Sequence, residues 1–376
     1  MYWPLSQGPL EHAICNSAFH ARQSASDRDD VVRAQQHRTN SMSMITSSIS
    51  LDDDGVRYGH LRIPHSVHES AYGHIPVPIA VAKQGAGPTL LLTAGVHGDE
   101  YEGPLALYGL LAQLEKLDIS GRLIILPSIN QPAFLAATRC SPIDKLNLNR
   151  SFPGSPNGSI TQLIADYIST ELLHRADYAI DMHSGGSSLQ YLPLLLAPTW
   201  PDGEKRETID GLVKAFSSPL VGYFDSLRAL DGGNNVFGHI ADKHNCHLLT
   251  GEFGGGSTVN LDGLSMLSSG LRRIFRHIGL TTETIEEPDR KTAIRCLSLH
   301  DPDLFAFSPA YGIFEPAYKL GDELAPGALA GRIFDATQPW KPPVEIRFRS
   351  GGLAICIRTF AMVKPGDCLG HLATDL

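Results

Sequence analysis

Nowhere in this 376-residue chain is there an apolar run of the about 18 residues that a membrane-spanning helix needs, so a transmembrane span is excluded. Its six cysteines are scattered at 15, 140, 246, 296, 356 and 368, with no Cys-x-x-Cys pair among them. A long chain with unpaired cysteines and no secretory leader reads as a reduced, cytoplasmic protein rather than a disulfide frame. No basic stripe is visible either. Lys and Arg number 31 against 40 Asp and Glu, a formal charge of −9, which argues against nucleic acid and anionic membrane as partners. The glycine run Gly254-Gly255-Gly256 is not a phosphate loop, because no Gly-x-x-x-x-Gly-Lys-Ser/Thr pattern surrounds it. It either lets the backbone approach a ligand closely or only turns the chain.

Residues 1–48 show no hydrophobic period and are rich in Ser, Gln, Arg, His and Asp, so a disordered extension is expected there. Met42 and Met44 stand just before the patterned region, and a natural start at one of them is expected; mass spectrometry of the natural N-terminus tests this. The remaining length is enough for a full α/β core and a second domain.

Four short, nearly continuous apolar runs carry the pattern: 89–94, 122–130, 178–183 and 247–253. Such runs are how strands buried on both faces read. Helix-like stretches lie at 102–117, 159–174, 206–217, 235–244 and 261–278, so strand and helix alternate and the core is expected to be α/β with a mainly parallel sheet. Each apolar run ends on chemistry. The first leads into Gly95-Val96-His97-Gly98-Asp99-Glu100, the second to Arg139 and Asn147-Leu148-Asn149-Arg150, the third to Asp181 and His183, and the fourth to Glu252. Open α/β sheets place their ligands at the carboxyl ends of strands. Imidazole and carboxylate are also two of the ligand types that hold a catalytic zinc with one position open. With 16 histidines a His-x-x-Glu pair arises about once by chance, so the strand-end position of His97 and Glu100 matters more than the spacing.

The ordered set His97/Glu100, Asn149/Arg150, Asp181/His183 and Glu252 resembles the succinylglutamate desuccinylase/aspartoacylase family, a branch of the zinc carboxypeptidase fold, over roughly residues 50 to 376. The segments around Asn147-Leu148-Asn149-Arg150, Asp181-Met182-His183 and Gly251-Glu252-Phe253 look most like the members that deacetylate N-acetyl-diaminobutyrate in ectoine breakdown. That resemblance implies a mixed sheet flanked by helices over 49–287 and a small C-terminal all-β barrel-sandwich domain over 288–376. It also implies one Zn2+ on His97, Glu100 and His183, and a small N-acyl amino acid as substrate. One departure stands at Asn147, where many members carry an Asp that orients a ligand histidine; an amide supplies no negative charge there.

The chemistry of these residue types agrees with the resemblance. Glu252 is the expected general base and then acid, and Arg139 the group that meets a developing oxyanion. Asn149 and Arg150 suit a substrate carboxylate, since a guanidinium pairs with it bidentately. Asp181 and His183 are two apart on a strand and leave the same face, so Asp181 is expected to orient His183. Aspartoacylase-type, desuccinylase-type and carboxypeptidase activities use the same core, and a metal-free binding protein on this fold is the reading from another class. Residues 288–376 are turn-punctuated, and two segments there, from Gly312 and from Gly352, echo each other. Without a lysine in carrier context around 335–343, that domain is expected to shape one wall of the site mouth and make a homo-oligomer contact. Tyr191, Tyr223 and Glu315 are the guesses for pocket walls.

Overall fold

The computed structural model describes residues 43–225, 235–283 and 293–376. Nearly all of the extension expected over 1–48, and the expected domain boundary at 287/288, lie outside the described residues. Within that extension, Thr46–Ser47 forms a short strand and Ile45 is buried, so residues 45–47 belong to the folded part, contrary to the expectation from composition.

In chain order the strands are β1 (Thr46–Ser47), β2 (Gly55–Pro64), β3 (His74–Gln84), β4 (Thr89–Ala94), β5 (Gly121–Leu126), β6 (Tyr178–His183), β7 (Leu189–Tyr191), β8 (Leu194–Thr199), β9 (Leu220–Asp225) and β10 (His247–Glu252). The C-terminal part adds β11 (Arg295–Ser298), β12 (Phe305–Phe307), β13 (Gly312–Pro316), β14 (Glu323–Leu324), β15 (Leu329–Phe334), β16 (Val344–Arg347), β17 (Gly352–Arg358), β18 (Met362–Val363) and β19 (Cys368–Asp375). The α-helices are α1 (Glu102–Leu111), α2 (Gln131–Leu135), α3 (Ile160–Tyr167), α4 (Glu204–Phe216), α5 (Phe237–Lys243) and α6 (Leu261–His277).

The four apolar runs are four neighbouring strands at the centre of the sheet, in the order β5-β4-β6-β10, all parallel. Antiparallel strands flank them, β3 against β5 and β8 against β10, so the sheet is mixed rather than mainly parallel throughout. Both faces of the central strands are covered, which is why their sequences are continuously apolar. Leu91, Ile124, Ala179 and Leu248 pack on one side with Leu163 and Ile164 of α3 and Ile240 of α5. Their neighbours Leu90, Leu123, Ile180 and Leu249 face the other side, against Leu107 of α1, Leu212 of α4 and Leu271 of α6. This period-2 division of one run between two cores follows from strand geometry. Leu91 is fully buried, and Leu91→Ala is expected to cost about 2–5 kcal/mol in urea unfolding. Leu261, 75% exposed at the start of α6, is expected to change stability by about 0.5 kcal/mol or less on the same substitution.

Helix ends follow local chemistry. Ser159 and Gln162 form a reciprocal capping box at α3, and the Asn260 side chain accepts from Gly263 N (2.9 Å) at α6. The helix expected over 102–117 stops at Leu111 and continues only as a 3-10 turn, Leu114–Lys116. Among the described residues no helix is long and apolar enough to cross a membrane.

In the C-terminal part, a separate antiparallel sheet, β16-β15-β13-β18, shares a core with strands of the large sheet. Phe314 and Ile333 from the small sheet meet Ala354, Leu369 and Leu372 of β17 and β19. The large sheet reaches this region through β11, which pairs with β9 on one side and β19 on the other. The two echoing segments begin with β13 and β17, one in each sheet.

Candidate active site

The loop after β4 carries His97 and Glu100, and glycines fix its path. Gly95 turns the chain at φ +68°, where an L side chain is strained, and a Cβ on Gly98 would lie 2.0 Å from the Ala133 carbonyl. Between them and β6, Asp99 accepts from both the backbone N–H and the hydroxyl of Ser187, each at 2.7 Å, tying this loop to the one that follows His183. The three side chains expected to hold a metal therefore meet: the ligand atoms of His97, Glu100 and His183 all lie within 4.8 Å of one another, and all three residues are buried.

Hydrogen bonds decide which ring nitrogens face the centre. Asn147 Oδ1 accepts from Asn149 N at 2.9 Å, which fixes the amide oxygen, and His97 Nε2 stands 3.1 Å from the same oxygen and so donates to it. His183 Nε2 donates likewise to Asp181 Oδ2 at 2.9 Å. Each imidazole then turns Nδ1 toward Glu100, His97 at 2.6 Å from Oε1 and His183 at 3.0 Å from Oε2. With both outer nitrogens bearing hydrogen, each Nδ1 faces a carboxylate, an arrangement made favourable by positive charge between them, a metal cation or a proton on the ring. The electrostatics of the unmetallated cluster also call for positive charge at this point. Burial opposes charge on His183, but the Asp181 and Glu100 carboxylates outweigh it and hold the imidazole well above its usual range. Burial also opposes ionisation of Glu100, yet the two imidazoles keep its carboxyl far below the ordinary carboxylate range. The donor set of two imidazoles and one carboxylate is the one that holds zinc with a position open, so these residues fit such an ion.

A cavity of about 360 Å³ opens on this cluster. Arg139, Asn149, Arg150, Asp181 and Glu252 all line it, so the structure brings every site residue read from the sequence to one place. Arg139 Nη1 lies 3.8 Å from Glu100 Oε1, with its side chain 47% exposed. Burial lowers the Arg150 guanidinium from its usual value, and the neighbouring Arg139 charge adds to this, so two cations share one wall. Asn149 Oδ1 accepts from Phe237 N at 3.3 Å, linking the Asn149-Arg150 turn to the start of α5. Burial, followed by the charge of Glu100, pushes the Glu252 carboxyl up to about 8, and its Oε2 is buried without a partner among the described residues.

Of the wall residues guessed from sequence, Tyr191 lines the cavity. Tyr223 lines a separate one, and Glu315 sits on the surface 3.5 Å from Arg332. The glycine run serves packing: a Cβ on Gly254 (φ +154°) would lie 2.1 Å from Glu102 Oε1. Glu102 is itself fully buried and accepts from Asn260 N at 2.9 Å. Sequence reasoning missed Leu194 and Leu196 of β8, and Leu299, Phe305, Ile355 and His371 of the C-terminal part, which also line the cavity. The expectation that the C-terminal part shapes one side of the mouth is met by these last four.

Comparison with known proteins gives a consistent picture. The chain is 36% identical over 332 residues to the N-alpha-acetyl-L-2,4-diaminobutyric acid deacetylase of Halomonas elongata, covering 88% of this chain and 95% of that protein. The product-bound structure of the ectoine utilization protein EutE (DoeB) from Ruegeria pomeroyi superposes with a TM-score of 0.82 at 39% identity, over 89% of this chain and 99% of that one. A succinylglutamate desuccinylase from a Silicibacter species superposes with a TM-score of 0.83 at 36% identity, over the same 89% and 99%. Residues 86–278, which run from just before β4 to the end of α6, match the Succinylglutamate desuccinylase/Aspartoacylase catalytic domain, and the chain belongs to that family.

Proposed function

We propose that the protein is a zinc-dependent deacylase that hydrolyses Nα-acetyl-L-2,4-diaminobutyrate to diaminobutyrate and acetate. The observation that carries this is the convergence of His97, Glu100 and His183 beside the unpartnered carboxylate oxygen of Glu252, in a cavity whose other groups suit an amino acid. The relatives named above supply the choice of acyl group and amino acid. A zinc ion held by the three ligands would lower the pKa of a water molecule and polarise the scissile carbonyl.

The remaining steps belong to the protein. Asp181 and Asn147 hold the two imidazoles in the tautomer that presents Nδ1. Glu252 takes a proton from the attacking water and delivers it to the leaving α-nitrogen, so one carboxylate serves both halves of the reaction. Its buried setting raises its proton affinity, which suits the second half; positive charge at the ligand cluster lowers it again, which suits the first. Arg139 meets the oxyanion as it forms, and Arg150 with Asn149 holds the α-carboxylate. Leu299, Phe305 and Ile355 close one side with apolar surface, which favours a single small amino acid derivative over a peptide.

We place the reaction in the cytoplasm, on the five cysteines described, all of which are free thiols. Arg150→Lys replaces a planar fork by a point charge and is expected to raise KM about 10- to 100-fold with a smaller change in kcat, measured by steady-state acetate release. The proposal itself is tested by 1H NMR of acyl release from Nα-acetyl-diaminobutyrate, N-acetyl-aspartate, N-succinyl-glutamate and short peptides under one set of conditions. Fastest turnover of the diaminobutyrate derivative supports it. Preferential release from any of the others reassigns the substrate.

A further inference from the structure

Two buried polar atoms on residues lining the cavity have no hydrogen-bond partner among the described residues: Glu252 Oε2 and His371 Nε2. The first belongs to the proton transfers above. The second lies in β19 of the C-terminal part, and no step yet described uses it. His371 is 3% exposed and stacks face to face on Phe305, with ring centroids 3.8 Å apart and planes 15° from parallel. Strand pairing sets it in a row that runs Phe305, His371, Cys356, Tyr191 across β12, β19, β17 and β7. Tyr191, at the other end of that row, is close enough to Glu252 to feel its charge. His371 therefore stands two strands further from the proton-transfer group, on the same face.

We propose that His371 recognises the free side-chain amino group of the substrate, a ring nitrogen accepting a hydrogen bond from the ammonium; this rests on the reading of the substrate as an Nα-acyl diamino acid. The other cavity-lining residues from the C-terminal part, Leu299, Phe305 and Ile355, are apolar, so His371 is the polar contact this wall offers among the described residues. Arg139 and Arg150 provide for the negative parts of the substrate and cannot receive a cation. Burial pushes the His371 imidazole down to about 3, so it is neutral at working pH and presents one donor and one acceptor nitrogen. A neutral ring can take an ammonium without the repulsion a protonated one would exert. The stack on Phe305 fixes its plane, as a recognition group requires. A site built to hydrogen-bond a substrate N–H discriminates strongly against the analogue that lacks it, whereas an apolar pocket does not.

The test compares Nα-acetyl-2,4-diaminobutyrate with Nα-acetyl-norvaline, in which a methyl replaces the ammonium, on wild type, His371→Phe and His371→Gln. Phe keeps the ring stack and removes the acceptor; Gln restores an acceptor. The expected result for His371→Phe is a fall in kcat/KM of about 10- to 100-fold for the diamino substrate, with norvaline changed about threefold or less. Bound zinc is expected to be unaltered, and His371→Gln is expected to recover part of the loss. Equal losses on both substrates, or an undiminished preference in His371→Phe, would overturn the proposal and leave His371 a packing residue. Binding of free diaminobutyrate against norvaline, followed by ligand-observed NMR on the same variants, gives a readout independent of turnover. If wild type hydrolyses neither substrate, the proposed reaction falls. Should diaminobutyrate alone then lose binding in His371→Phe, the assignment of His371 stands without it.

Discussion

Glu252→Gln is expected to keep the fold and the metal and to lose kcat by about 10²–10⁴-fold, the usual contribution of a positioned general acid–base. Gln is nearly isosteric and leaves His97, Glu100 and His183 untouched, so metal content by inductively coupled plasma mass spectrometry should match wild type. Removing a carboxylate from beside Glu100 and Glu102 also relieves a repulsion that contributes to the raised Glu252 proton affinity, so the variant is not expected to melt earlier. Wild-type activity should rise with pH through the Glu252 titration, because the deprotonated form starts the reaction, and this acid limb should vanish in the variant's residual rate. Turnover within about threefold of wild type would remove Glu252 from the base role, since a Brønsted base that matters contributes far more.

His183→Ala is expected to lose the metal. The site would retain one imidazole and one carboxylate, and affinity should fall by more than the roughly 10- to 100-fold that disturbing an outer partner costs. Asp181 and Glu100, 2.9 and 3.0 Å from the two His183 nitrogens, would be left buried without the group that separates them. A loss of about 3–5 kcal/mol is expected for removing one member of such a buried charged set, read by urea unfolding. Asp181→Asn gives the complementary result, a weaker loss of metal with His183 still in place. Full zinc occupancy in His183→Ala would take His183 out of the ligand set.

The centre of the sheet was legible because β4, β5, β6 and β10 are buried on both faces, and their composition alone reports it. The outer strand β2 was not. In β2 most residues are exposed or half-buried, so its polar-rich sequence carries no apolar run to read. The residues at the central strand ends could be grouped by order along the chain, and the structure brings them together, from His97 to Glu252. Asn147 marks the limit of that reasoning. The missing negative charge was visible in the sequence, but that its amide oxygen still holds His97, with its own orientation fixed by the Asn149 N–H, requires the fold of the turn. His371 lies 274 residues after His97, in a strand with no motif around it, and only the pairing of β19 with β12 and β17 places it on the cavity wall. Tyr223 and Glu315 were guessed from residue type alone, and residue type does not fix which way a strand side chain points.

The most direct test of metal-assisted deacetylation is acetate release from Nα-acetyl-L-2,4-diaminobutyrate by the purified enzyme, before chelation, after chelation to a metal-free state verified by mass spectrometry, and after one equivalent of Zn2+ is returned. Release, loss and recovery are expected in that order. Undiminished release by the verified metal-free protein would contradict metal-assisted deacetylation.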